Sequence, residues 1–177
     1  MTAATTRRTT TLIAATALLA APALLAPSVA TAAPAQVFRG DLVDLSAATA
    51  DPFGDASAHL VMTQTGQGTV FHLRVKGIDP SVVGHDYGAH LHVGPCVEGN
   101  GAAAGAHYNA SGVTPPVANE QTEVWLDFTV TEDGTGAGDT VVPFVPTPGN
   151  RAVVIHAEAT APGGTAGPRL VCLPVSW

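Results

Sequence analysis

Cationic side chains are scarce in this sequence: Lys and Arg number 7 against 14 Asp and Glu in 177 residues, for a formal net charge of −7. No basic stretch is longer than Arg7-Arg8, so nothing can neutralise a phosphate backbone, and nucleic acid is excluded as a partner. Aromatic residues make up only 5% and are spread along the chain, which also argues against a base-stacking platform. The longest apolar run, Leu12 to Leu25, falls short of the ~20 residues that a membrane-spanning helix needs. Cysteine is nearly lacking, with Cys96 and Cys172 alone. No sustained 3.6-residue periodicity occurs after residue 32, so a helical bundle is not expected.

The start of the chain reads as a removable leader. Arg7 and Arg8 give a positive n-region, the Leu12 to Leu25 run follows, and Ala30-Thr31-Ala32 offers a small-x-small cleavage site. Ala33-Pro34-Ala35 is a second acceptable site, so the expected division is a signal peptide over 1–32, cut as late as 35, and one domain over 33–177. The leader carries two of the seven cations and no acid, so its removal takes the net charge from −7 to −9. The product is expected to be secreted or extracytoplasmic, where an even pair of cysteines is read as a disulfide. The number of subunits stays open.

Glycine and proline together (19 and 14) make up about a fifth of the chain and punctuate short alternating segments. Strands are predicted over Gln36 to Leu45, Ala58 to Thr63, Thr69 to Val75, Ala89 to Val93, Glu123 to Thr131, Thr140 to Val145, Ala152 to Ala157 and Leu170 to Val175. Gly66-Gln67-Gly68 has hairpin composition, and Asp133-Gly134, Pro148-Gly149 and Pro162-Gly163-Gly164 mark further turns. The expectation is an all-β protein with eight strands, a sandwich or barrel with Greek-key connections. Between the strands, Gly94 to Gln121 has no strand pattern, and a loop that long is usually functional.

Seven histidines all follow the leader. His90 and His92 flank Leu91 on a predicted strand, and an i, i+2 pair projects from one face, where two imidazoles can share a metal ion. His107 sits in the small-residue stretch Ala103-Ala104-Gly105-Ala106-His107-Tyr108-Asn109. His156 ends the apolar run Ala152-Val153-Val154-Ile155, a buried setting in which an unpaired imidazole is costly, so a metal or hydrogen-bond partner is expected for it. Four imidazoles without thiolate, in an oxidising compartment, suit copper or zinc, and copper(II) binds the tighter. His59, His72 and His85 read as surface or satisfied residues, and Trp125 and Trp177 as packing residues.

Gly88-Ala89-His90-Leu91-His92, Gly94-Pro95-Cys96 and Gly105-Ala106-His107-Tyr108-Asn109 resemble the copper-binding region of the Cu/Zn superoxide dismutase family. Val153-Val154-Ile155-His156 and Gly167-Pro168-Arg169-Leu170-Val171-Cys172 continue the resemblance to the end of the chain. The resemblance implies an eight-stranded Greek-key β-barrel, copper held by His90, His92, His107 and His156, and a disulfide between Cys96 and Cys172. It further implies that Arg169 holds the superoxide anion beside copper and that His107 relays a proton. After His107 the chain has no histidine or aspartate before Glu123, so the family's zinc ligands are lacking and a copper-only site is expected. A carboxylate at the vacant zinc position would then orient His107; Glu123 is the candidate, with Glu120 and Asp127 as rivals. The activity implied is exported, copper-dependent conversion of superoxide to dioxygen and hydrogen peroxide, and the alternative is a copper-binding or structural module with little turnover.

Overall fold

The computed structural model describes residues 1–3, 34–46 and 51–177; the expected leader falls almost wholly outside these residues. Two four-stranded antiparallel sheets stack into a sandwich. The first contains β1 (Gln36–Asp41), β3 (Ser57–Thr65), β4 (Gly68–Lys76) and β8 (Thr135–Val142), in that order. The second contains β2 (Val43–Asp44), β10 (Arg169–Ser176), β9 (Asn150–His156) and β6 (Ala89–His92). A short pair, β5 (Asp86–Tyr87) with β7 (Phe128–Thr129), stands beside them. The only helical turns among the described residues are 3₁₀ segments at Pro80–Val82 and Gly101–Ala104.

The expectation of an all-β chain holds, and the two main sheets contain eight strands between them, but among the described residues no strand ladder joins the two sheets, so no closed barrel forms. Strand β3 shows how the sequence builds the sandwich. Ala58, Leu60 and Met62 turn inward while His59, Val61 and Thr63 face out, the period-2 pattern of a half-buried strand. These residues join Phe71, Leu73 and Val75 from β4, and Leu91, Val153, Ile155, Val171 and Leu173 from the second sheet, in one core.

Three predicted strands need correction. Gln36 to Leu45 is broken at Leu42, so that β1 joins one sheet and β2 the other. Glu123 to Thr131 keeps only β7 as a strand, with isolated bridges from Trp125 to His90 and from Glu123 to Asn109. Strand β8 begins at Thr135 rather than Thr140, because its inward positions are Gly136 and Gly138, which carry no apolar signal. A Cβ at Gly138 would stand 2.0 Å from the Leu126 carbonyl oxygen, and one at Gly136 would stand 2.2 Å from the Phe128 ring. The bare backbone there lets the 124–130 segment cross close to the sheet.

Strand β9 is buried on both faces, which accounts for its unbroken apolar run. Val153 and Ile155 enter the main core, whereas Ala152 and Val154 meet Leu45, Ala104 and Cys172 in a smaller cluster. Cys96 and Cys172 are bridged across 76 positions, with 5.9 Å between their Cα atoms. The bridge fastens the loop after β6 to β10, over the second sheet.

Candidate metal centre

The register of β6 against β9 pairs His92 with Ala152 and His90 with Val154. His156 follows at the end of β9 in the same alternation, so His90, His92 and His156 share one face of the second sheet. Leu91, pointing the other way, is in the main core, as the His-x-His reading required. His107 arrives from the loop through an isolated bridge to His92. One ring nitrogen from each of the four lies within 4.8 Å of the other three. His90, His92 and His156 are buried, and His107 is partly exposed.

Hydrogen bonds on the outer side of each ring decide which nitrogen faces the centre. His92 Nδ1 donates to the Gly105 carbonyl and His156 Nδ1 to the Gly167 carbonyl, both at 3.1 Å. A carbonyl can only accept, so each ring carries its proton on Nδ1 and keeps a lone pair on Nε2. Those two Nε2 atoms stand 3.2 Å apart. His107 Nδ1 donates to Glu123 Oε2 at 2.9 Å, so its Nε2 is the nitrogen turned toward the other rings. His90 is turned round: Nε2 meets the Thr160 hydroxyl at 2.7 Å, and the fully buried Nδ1 has no partner among the described residues.

Burial is the main reason that His90, His92 and His156 stay neutral. It pushes His90 down to about 2, with the neighbouring His107, His156 and His92 adding to the effect. Burial likewise lowers His92 to about 3 and His156 to about 4, against the opposing effect of their carbonyl partners. Neutral imidazoles with converging lone pairs, one of them buried and unpartnered, are the form in which histidine binds metal. The donor set therefore fits an ion, and nitrogen-only ligation suits copper or zinc.

Glu123 is buried and fully engaged. Besides His107 it accepts from Trp125 Nε1 at 2.9 Å and from Asn109 Nδ2 at 3.0 Å. Burial alone would raise its pKa, but these hydrogen bonds outweigh that and hold it below the ordinary carboxylate range. Of its two rivals, Glu120 is exposed, and Asp127 lies on the other side of the cluster, 3.6 Å from His90 Nε2. Thr160 and the carbonyls of Gly105 and Gly167 had no signal in the sequence; residues distant in the chain had to be folded together before their partnership with a ring could be seen.

A cavity of about 540 Å³ opens over His107 and His156, and among the described residues Arg169 is the only Lys or Arg in its wall. The guanidinium is held by the Gly101 and Gly105 carbonyls, the latter at 2.6 Å, so the same Gly105 oxygen serves both Arg169 and His92. The 3₁₀ turn at Gly101–Ala104 thus links the arginine to the histidine group. Arg39, Arg74 and Lys76 instead surround a separate hollow against the outer side of β1, β3 and β4. His59 also lines that hollow, His72 pairs with Asp139, and His85 Nε2 meets the Ala157 carbonyl, so none of the three joins the cluster.

Fold and site together define an all-β sandwich protein with a disulfide and a buried four-histidine group able to hold a metal ion. No family model matches the chain, and no curated protein matches it.

Proposed function

We propose that the chain, from about residue 33 onward, is an exported copper-dependent superoxide dismutase of the copper-only kind. The observation that carries this reading is the convergence of four imidazoles on one point, with the buried His90 Nδ1 unpartnered among the described residues. The sequence resemblance supplies the activity. Copper, when bound, supplies an ion that alternates between two oxidation states, which zinc cannot do.

The protein's own residues then have separable tasks. His90, His92, His107 and His156 hold the ion, and their outer partners fix the rings. Arg169 presents a fixed positive charge in the cavity wall, where a small anion such as superoxide would be held. His107, the most exposed of the four and seated on a carboxylate, is the group proposed to pass protons toward the peroxide product. The overall negative charge opposes an anionic substrate only at short range, since screening acts beyond ~8 Å at physiological salt. The disulfide fits an oxidising compartment, and no helix among the described residues is long and apolar enough to cross a membrane.

The competing reading is a copper-binding or structural module with little turnover. Superoxide decay measured with copper-loaded wild type and Arg169→Ala separates the two. The dismutase reading expects fast wild-type decay and at least a several-fold slower rate in the variant, at equal copper content and with weaker dependence on ionic strength. A copper-loaded wild type no faster than buffer would leave the binding module. Fast wild type with an unaffected variant would remove only the role of Arg169.

A further inference from the structure

Three of the four histidines turn Nε2 toward the centre, and His90 alone turns Nδ1. Its outer partner is also different in kind. Carbonyls and a carboxylate fix the other rings because they can only accept, but the Thr160 hydroxyl can donate or accept, so by itself it does not choose the tautomer. The choice lies with what surrounds the pair. Asp127 Oδ1 is 3.6 Å from His90 Nε2 and accepts from the Ala89 amide at 3.0 Å, while Asp127 Oδ2 accepts from the Thr160 amide at 3.2 Å. A carboxylate at that position favours a proton on Nε2 and disfavours a lone pair there. The opposite tautomer would leave a buried N–H on Nδ1 with no acceptor.

Gly88 makes the approach possible. A Cβ at this position would come within 2.8 Å of Thr160 Oγ1, 2.6 Å of Ala166 Cβ and 2.9 Å of the Glu158 carbonyl oxygen. The Gly88 amide donates to that same Glu158 oxygen at 2.8 Å, so the loop carrying Thr160 is drawn onto the start of β6.

Resting on the reading of the four histidines as one metal site, we infer that Thr160, backed by Asp127, is a positioning residue. It holds the His90 ring proton on Nε2 and so makes Nδ1 the ligating atom. The test begins with metal-free wild type, labelled with ¹⁵N at histidine, whose tautomers are read by long-range proton–nitrogen correlation. The His90 proton is expected on Nε2. In Thr160→Val, which keeps the shape but removes the hydroxyl, the preference should weaken, and Cu(II) affinity measured against a competing chelator should fall about 10–100-fold. Thr160→Ser should restore both, and Asp127→Asn should shift the tautomer ratio in the same direction as the valine.

A His90 proton on Nδ1 in the wild type, or Thr160→Val with unchanged tautomer and affinity, would overturn the inference. Should Thr160→Val fail to fold, the wild-type and Asp127→Asn spectra still decide. A wild type that binds no Cu(II) yet shows the Nε2 proton and its loss in the valine variant would defeat the metal reading and leave the positioning role intact.

Discussion

Glu123 Oε2 accepts two hydrogen bonds of 2.9 Å, from His107 Nδ1 and from Trp125 Nε1. His107 thereby has a buried carboxylate fixing its ring, although it sits on a loop rather than a strand. Glu123→Gln keeps the size of the side chain but removes its charge and one acceptor oxygen. Copper affinity is expected to fall about 10–100-fold with the fold retained, whereas Glu120→Gln should change nothing. Competition with a chromophoric chelator, alongside circular dichroism, measures both.

The Cys96–Cys172 bridge secures the loop whose Gly101 and Gly105 carbonyls hold Arg169. Alkylation with and without reductant, followed by mass measurement, should find no free thiol in the native protein. Replacing both cysteines with serine should cost about 2–5 kcal/mol in denaturant unfolding. Two free thiols in the native protein would contradict the pairing.

Metal-free protein should lose stability in mild acid. His90, His92 and His156 are held neutral by burial, with folded values of about 2, 3 and 4, against an ordinary value near 6.5. The unfolded chain therefore binds more protons than the folded one between those values and 6.5. Stability is fully present above about 6.5 and declines as pH falls toward 4, by about 1.4 kcal/mol per pH unit for each histidine within its window. Denaturant midpoints measured from pH 7.5 to 4.5 check the direction; a flat profile would contradict the buried neutral rings.

Gly138 stands where a Cβ would meet the Leu126 carbonyl oxygen at 2.0 Å. Gly138→Ala should destabilise the sandwich by about 1–3 kcal/mol through forced backbone movement. Gly40→Ala, on the edge strand with nothing within 4 Å of the added carbon, should cost far less in the same unfolding assay.

These glycines also mark where reading the sequence reaches its limit. Strands β3 and β4 alternate cleanly, so their composition reveals them, and His90-Leu91-His92 shows its two-faced arrangement for the same reason. The first half of strand β8 hides because its inward residues there are Gly136 and Gly138, bare where the 126–128 segment crosses over them. The 123–131 stretch looks like a full strand because Val124, Leu126, Phe128 and Val130 alternate with polar or less buried positions, yet only Phe128–Thr129 forms a ladder, while Glu123 and Trp125 make isolated bridges. At the candidate site, residue type identifies the four histidines, the arginine and the cysteines. Thr160 and the two glycine carbonyls carry no chemical signature, since any backbone offers a carbonyl and threonine is common in loops.

The most direct test is a titration in which metal-free protein receives copper in steps and superoxide decay is followed on the same samples. The rate is expected to rise in proportion to copper bound and to stop at one equivalent per chain, with zinc neither substituting nor binding as a second equivalent. A rate that stays at the buffer value while the four-histidine site fills would contradict the dismutase reading, and a full equivalent of zinc beside copper would contradict the copper-only site.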